Sequence, residues 1–161
     1  MRTLVAMAAF CALAASGTAL ADGGTSCATA QEIFSNLEYT GDTSTSTNFV
    51  GAFGGLPSPG PDLAFKFTAG GQLSLSPIVV TIVGGWNAGG VITASCGGNG
   101  GNPIQAATGT TTFSIPTSGL TVGTLYYFYM TGNPSDNSGP SGAFNFVSQY
   151  LPVTLQAFSV D

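Results

Sequence analysis

Histidine is absent from the chain, and only two of its 161 residues are cationic. Without imidazole there is no Ser-His-Asp or Cys-His relay and no histidine metal ligand. Arg2 stands at the extreme start, so Lys66 is the one cation of the rest, set against Asp22, Glu32, Glu38, Asp42, Asp62, Asp136 and Asp161. A nucleic-acid binder neutralises phosphates with clustered Lys and Arg, and this sequence has no such cluster. Attraction to an anionic membrane surface is excluded for the same reason. Apolar runs of spanning length are missing beyond the N-terminus. Helical periodicity is missing too, which excludes βαβ crossovers and a parallel α/β sheet.

What is present begins with a leader. Met1-Arg2 is followed by an uncharged apolar run from Leu4 to Ala15, and Ala19-Leu20-Ala21 offers small residues at a cleavage site. This layout predicts a secretory signal peptide over residues 1–21, cleaved before Asp22. The protein is then secreted, extracellular or periplasmic, with no membrane insertion after cleavage. Neither Cys11 nor Cys27 has a leucine three places before it, which argues against lipid anchoring. Residues 22–161 form one domain, with a net charge of 1 − 7 = −6. A chain of this length buries roughly two thirds of its unfolded surface. Its aromatics distinguish it from a disordered Gly/Ser/Thr-rich segment.

Two cysteines, Cys27 and Cys96, remain after the leader. In an oxidising compartment the simplest outcome is one disulfide between them. Two lone cysteines without histidine make a poor metal site, so no metal is expected from them.

Period-2 alternation recurs along the chain. Strands are predicted at Ile33–Thr40 (broken near Ser35-Asn36), Leu63–Thr68, Leu73–Val83 (interrupted at Pro77), Val91–Cys96, Thr111–Ile115, Thr124–Thr131, Ala143–Gln149 and Val153–Val160. Residues 41–62 read as a long loop with a short edge strand near Asn48–Phe53, and Gly97–Pro103 as a second loop. Eight or nine evenly spaced strands define an all-β sandwich or barrel of antiparallel strands. Leu120-Thr-Val-Gly123-Thr124-Leu-Tyr126 has the spacing of a tyrosine corner, which turns Tyr126, Phe128 and Met130 inward and Tyr127, Tyr129 and Thr131 outward.

Four segments, in order, resemble bacterial pre-peptidase C-terminal (PPC-type) domains. They are Thr25-Ser-Cys27-Ala-Thr-Ala-Gln-Glu-Ile33, Pro61-Asp62-Leu63-Ala-Phe65-Lys-Phe67-Thr68, Leu120-Thr-Val-Gly-Thr-Leu-Tyr-Tyr127 and Gly142-Ala-Phe-Asn-Phe146. The resemblance implies a jelly-roll-like sandwich that serves as an accessory module of exported proteins. Some relatives bind calcium, collagen or polysaccharide. Calcium does not carry over, because the Asp/Asn-rich stretches of many relatives are lacking here.

Catalysis is not expected. Lys66 alternates with Phe65 and Phe67, which places it on a solvated face rather than in a desolvated pocket. The acids are scattered, and Glu38 and Asp42 read as solubilising residues around a turn at Gly41. The glycine-rich stretch 97–102 has neither the Lys nor the following helix of a phosphate loop. Binding residues are expected among the outward aromatics Tyr127 and Tyr129 and the loop residue Trp86, since flat rings suit sugars or protein partners. Burial of Tyr127 and Tyr129 under a neighbouring element, with Trp86 filling the end of the core, is the bland alternative. The function expected is a non-catalytic module for extracellular polysaccharide or matrix protein. The competing expectation is a structural subunit of an extracellular assembly that self-associates by β-strand addition, for which the C-terminal strand 152–161 is the candidate.

Overall fold

The computed structural model describes residues 20–21, 23–34, 37–70, 77–96 and 102–148. It is all-β. Twelve short strands are β1 (Leu20–Ala21), β2 (Gln31–Glu32), β3 (Glu38–Asp42), β4 (Ala52–Phe53), β5 (Leu56–Pro57), β6 (Leu63–Thr68), β7 (Ile78–Ile82), β8 (Ala88–Thr93), β9 (Gln105–Gly109), β10 (Thr112–Ile115), β11 (Leu125–Gly132) and β12 (Ala143–Ser148). A 3-10 turn at Thr43–Thr45 follows β3, with the Asp42 carboxylate accepting from the Ser44 N–H.

Two five-stranded sheets carry the fold, in the orders β1-β3-β12-β7-β10 and β2-β6-β11-β8-β9. Eight strands pair antiparallel, while the two-residue β1 and β2 add in parallel to β3 and β6. The long strands follow their period-2 patterns. In β6, Leu63, Phe65 and Phe67 face inward; from β11 come Tyr126, Phe128 and Met130; Phe144 and Phe146 come from β12, and Ile78, Val80 and Ile82 from β7. Phe65 is the hub, with its ring 4.9 Å from that of Phe146 and 5.7 Å from that of Phe128. Burying so many aromatic rings in one layer supplies the apolar area that a charge-poor chain needs in order to fold.

Several boundaries differ from the sequence reading. Val91 is not the start of its strand: β8 begins at Ala88 and includes Gly89 and Gly90. A Cβ on Gly90 would strike Ile115, so this glycine is there to let β10 approach, not to make a loop. β9 lies in a stretch read as a connection, because Gln105-Ala-Ala-Thr-Gly109 has no large apolar residue. Gly41 is no turn either: Glu38 and Asp42 lie on one continuous strand. The edge strand expected near Asn48–Phe53 is confined to Ala52–Phe53, paired with β5 across Gly54-Gly55. The strand predicted at Val153–Val160 lies outside the described residues, as does the first part of Leu73–Val83.

Candidate functional site

The tyrosine corner forms as local geometry dictates. Gly123 takes a φ of 80°, the chain reverses, and the Thr121 N–H donates to Tyr126 Oη at 2.9 Å. This fixes the facing of β11 and sends Tyr127 and Tyr129 to the outer side of its sheet.

That outer side is roofed. Cys27 and Cys96 are joined in a disulfide, which ties the 24–30 segment over the sheet. The long 43–62 connection brings Val50 and Phe53 down onto Ala64, Val91 and Tyr129 to make a second small core. Tyr129 is fully buried there. Its ring lies 5.3 Å from that of Phe53 and 6.0 Å from that of Phe49, and its hydroxyl donates to Cys96 Sγ at 2.9 Å. Tyr127 is half-buried against the same cluster. The expected pair of exposed tyrosines is therefore corrected: outward-pointing does not mean solvent-facing when a twenty-residue connection lies across the strand.

Asp62 pins that roof, and the sequence reading assigned it no role. Its side chain is fully buried, and Oδ2 accepts from the N–H groups of Phe49 at 3.1 Å and Val50 at 2.9 Å. Oδ1 has no hydrogen-bond partner. Burial pushes its carboxyl up to about 6, against the lowering effect of the Val50, Thr131 and Phe49 donors. Ser58 and Thr131 share a hydrogen bond of 2.9 Å beneath the same loop. No single residue type advertises this cluster; its Ser58–Thr131 bond alone joins positions 73 apart.

Trp86 is half-buried at the rim, on the β7–β8 connection after Gly84 and Gly85, whose φ values of 83° and 71° turn the chain, and its ring packs against the end of the main core. Its Nε1–H donates to the Ala143 carbonyl at 2.9 Å, and the backbone at Gly142 packs so closely on the indole that a Cβ there would lie 2.5 Å from Cδ1. The ring is thus held in one orientation. Beside it, Asn87 Nδ2 donates to Asp136 Oδ2 at 3.0 Å, and Asn133 Nδ2 donates to Asn87 Oδ1 at 3.1 Å. Ser138 donates to Asp136 Oδ1 through both its hydroxyl and its N–H, which, with Asn87, holds this carboxyl below the usual range. Each of the two amides carries a second N–H that these bonds do not use.

Trp86 and the tyrosines do not form one site. Trp86 precedes β8, whereas Tyr127 pairs with Thr93 at its far end, about 17 Å along the strand. Among the described residues, no group of three or more Cys, Asp or Glu side chains could hold a metal ion, and no helix is long and apolar enough to cross a membrane. No family model, curated protein or solved structure matches the chain.

Proposed function

We propose that this chain is an exported, non-catalytic binding module that contacts an extracellular polysaccharide at the Trp86 rim. The observation that carries the reading is the immobilised indole of Trp86 beside the Asn87–Asn133–Asp136 network. A fixed aromatic face stacks on a sugar ring at little entropic cost, and neighbouring amides suit hydroxyl groups. The scarcity of cations favours neutral glycans over sulfated or uronic ones.

The architecture is consistent with such modules. The two antiparallel sub-orders β3-β12-β7-β10 and β6-β11-β8-β9 support the reading of a jelly-roll-like sandwich. This is also the form implied by the resemblance to PPC-type domains, which supports the same reading. The leader over residues 1–21 and the cleavage before Asp22 are part of the reading. So is the absence of catalysis, since the chain has no histidine and the buried Asp62 is sealed under the 43–62 connection.

The test is retention of the mature protein on insoluble neutral polysaccharides, with matrix proteins alongside. Trp86→Ala is expected to weaken retention by about tenfold or more, with circular dichroism unchanged. Retention untouched by Trp86→Ala, or retention only by a matrix protein, overturns the glycan reading. Light scattering that gives only multimers would instead favour a structural subunit.

A further inference from the structure

Asp62 is fully buried, and its proton affinity is set by burial and by the donors Val50, Thr131 and Phe49, with no charged side chain among the causes. The 43–62 connection carries no second titratable group. The elements around it bring Lys66 on β6, Tyr126, Tyr127 and Tyr129 on β11, and Asp136 in the 133–142 connection, and none of these acts on Asp62. An ionised carboxylate is costly in such a place, because the surroundings disfavour the charge and Oδ1 finds no donor. Protonation removes that charge and turns the carboxyl into a donor, with the Thr131 hydroxyl beside it.

We infer that Asp62 is a protonation latch: its neutral carboxyl holds the 43–62 connection down on the outer face of β11, and ionisation lets that connection lift as a unit while both sheets stay folded. The connection is bonded chiefly to itself. β4 pairs with β5, the Ser58 N–H donates to the Gly51 carbonyl, Asn48 Nδ2 to the Ser58 carbonyl, and the Asp62 N–H to the Thr47 carbonyl. Asp62 stands at the hinge, one residue before β6, and its side chain grips the Phe49 and Val50 amides 13 and 12 positions back. Toward the sheets the connection offers the Ser58–Thr131 hydrogen bond and the packing of Val50 and Phe53. The Cys27–Cys96 bond joins residues outside it, so lifting breaks no covalent link. What lifting uncovers is Tyr129, whose ring otherwise meets Phe49 and Phe53. Burial holds the Asp62 carboxyl at about 6 when the connection is down, against an ordinary 3.8 when it is up in water. The closed form is therefore most favoured below pH 3.8, loses about tenfold against the lifted form for each pH unit up to 6, and changes no further above that.

The test is residue-resolved hydrogen exchange on the whole protein between about pH 4 and 6, each rate corrected for its intrinsic pH dependence. The Val50 amide, bonded to Asp62 Oδ2, reports on the connection, and the Phe128 amide, in the middle of β11, reports on the sheets. Val50 is expected to exchange about tenfold faster per pH unit, to stay ahead of Phe128 throughout, and to lose its pH dependence in Asp62→Asn. A rise at Val50 that persists in Asp62→Asn overturns the latch. Equal rates at Val50 and Phe128 overturn it too, because the opening is then that of the whole molecule. The carboxyl carbon signal of Asp62 in the parent gives a check that does not depend on the variant folding. A midpoint near 6, with the Val50 rate levelling off at the same pH, supports the latch. A midpoint near an ordinary value of about 4, or a corrected Val50 rate that does not change with pH, overturns it.

Discussion

Asp62 and Tyr126 are both polar side chains at the margin of the core, yet only one is legible in the sequence. Tyr126 bonds to Thr121, five positions back, so its spacing alone describes the contact. Asp62 draws its surroundings from the 43–62 connection and from Thr131 on β11, so nothing near it in the sequence signals a buried acid. Tyr126→Phe removes one buried hydrogen bond and should lower stability by about 1–2 kcal/mol in denaturant titrations, with an unchanged near-ultraviolet spectrum. Asp62 gives stability a pH dependence of a definite sign. Its carboxyl lies near 6 when folded and at an ordinary 3.8 otherwise, so folding favours the protonated form. That contribution is complete below pH 3.8 and is lost as pH rises through 6; it is worth on the order of 3 kcal/mol. Asp62→Asn keeps an acceptor for Phe49 and Val50 and does not ionise. Its midpoint of urea unfolding should be flat between pH 4 and 6, where the parent's declines. A parent curve with no slope in that window would place the ionisation elsewhere.

At the scale of elements, alternation of large apolar residues was enough to find β6, β10, β11 and β12, because each buries one face against the opposite sheet. It was not enough for β8 and β9. β8 holds its place through smallness, with Gly89 close to Pro134 and Gly90 close to Ile115, while β9 carries no large apolar side chain. The candidate site shares this limit. Trp86 stands out as the only tryptophan, but the Asn87–Asn133–Asp136 network joins two connections 46 or more residues apart. Close backbone approach is also what makes Gly132 irreplaceable. A Cβ there would lie 2.6 Å from the Pro140 carbonyl oxygen, which side-chain adjustment cannot relieve. Gly132→Ala should destabilise by about 1–3 kcal/mol and lower the melting temperature, whereas Gly84→Ala meets no atom within 4 Å and strains only its own backbone.

For the molecule as a whole, the disulfide is the single link that crosses the fold covalently. It closes a loop with a sequence separation of 69. Replacing both Cys27 and Cys96 by serine should lower stability by about 4 kcal/mol, as chain entropy requires of a loop that long; a loss under 1 kcal/mol would mean that the reduced unfolded chain is already compact there. The same link has a mechanical consequence. When the chain is pulled from its ends, the Cys27–Cys96 bond lies directly across the line of tension. Everything from β2 to β8 sits inside the closed loop and cannot be drawn out while the bond holds. Stretched between residues 23 and 148, the oxidised protein can yield only the chain outside the loop. Reduction releases roughly 230 Å more. Force therefore peels β9 to β12 away first, leaving the segment that carries Trp86 tethered at fixed length.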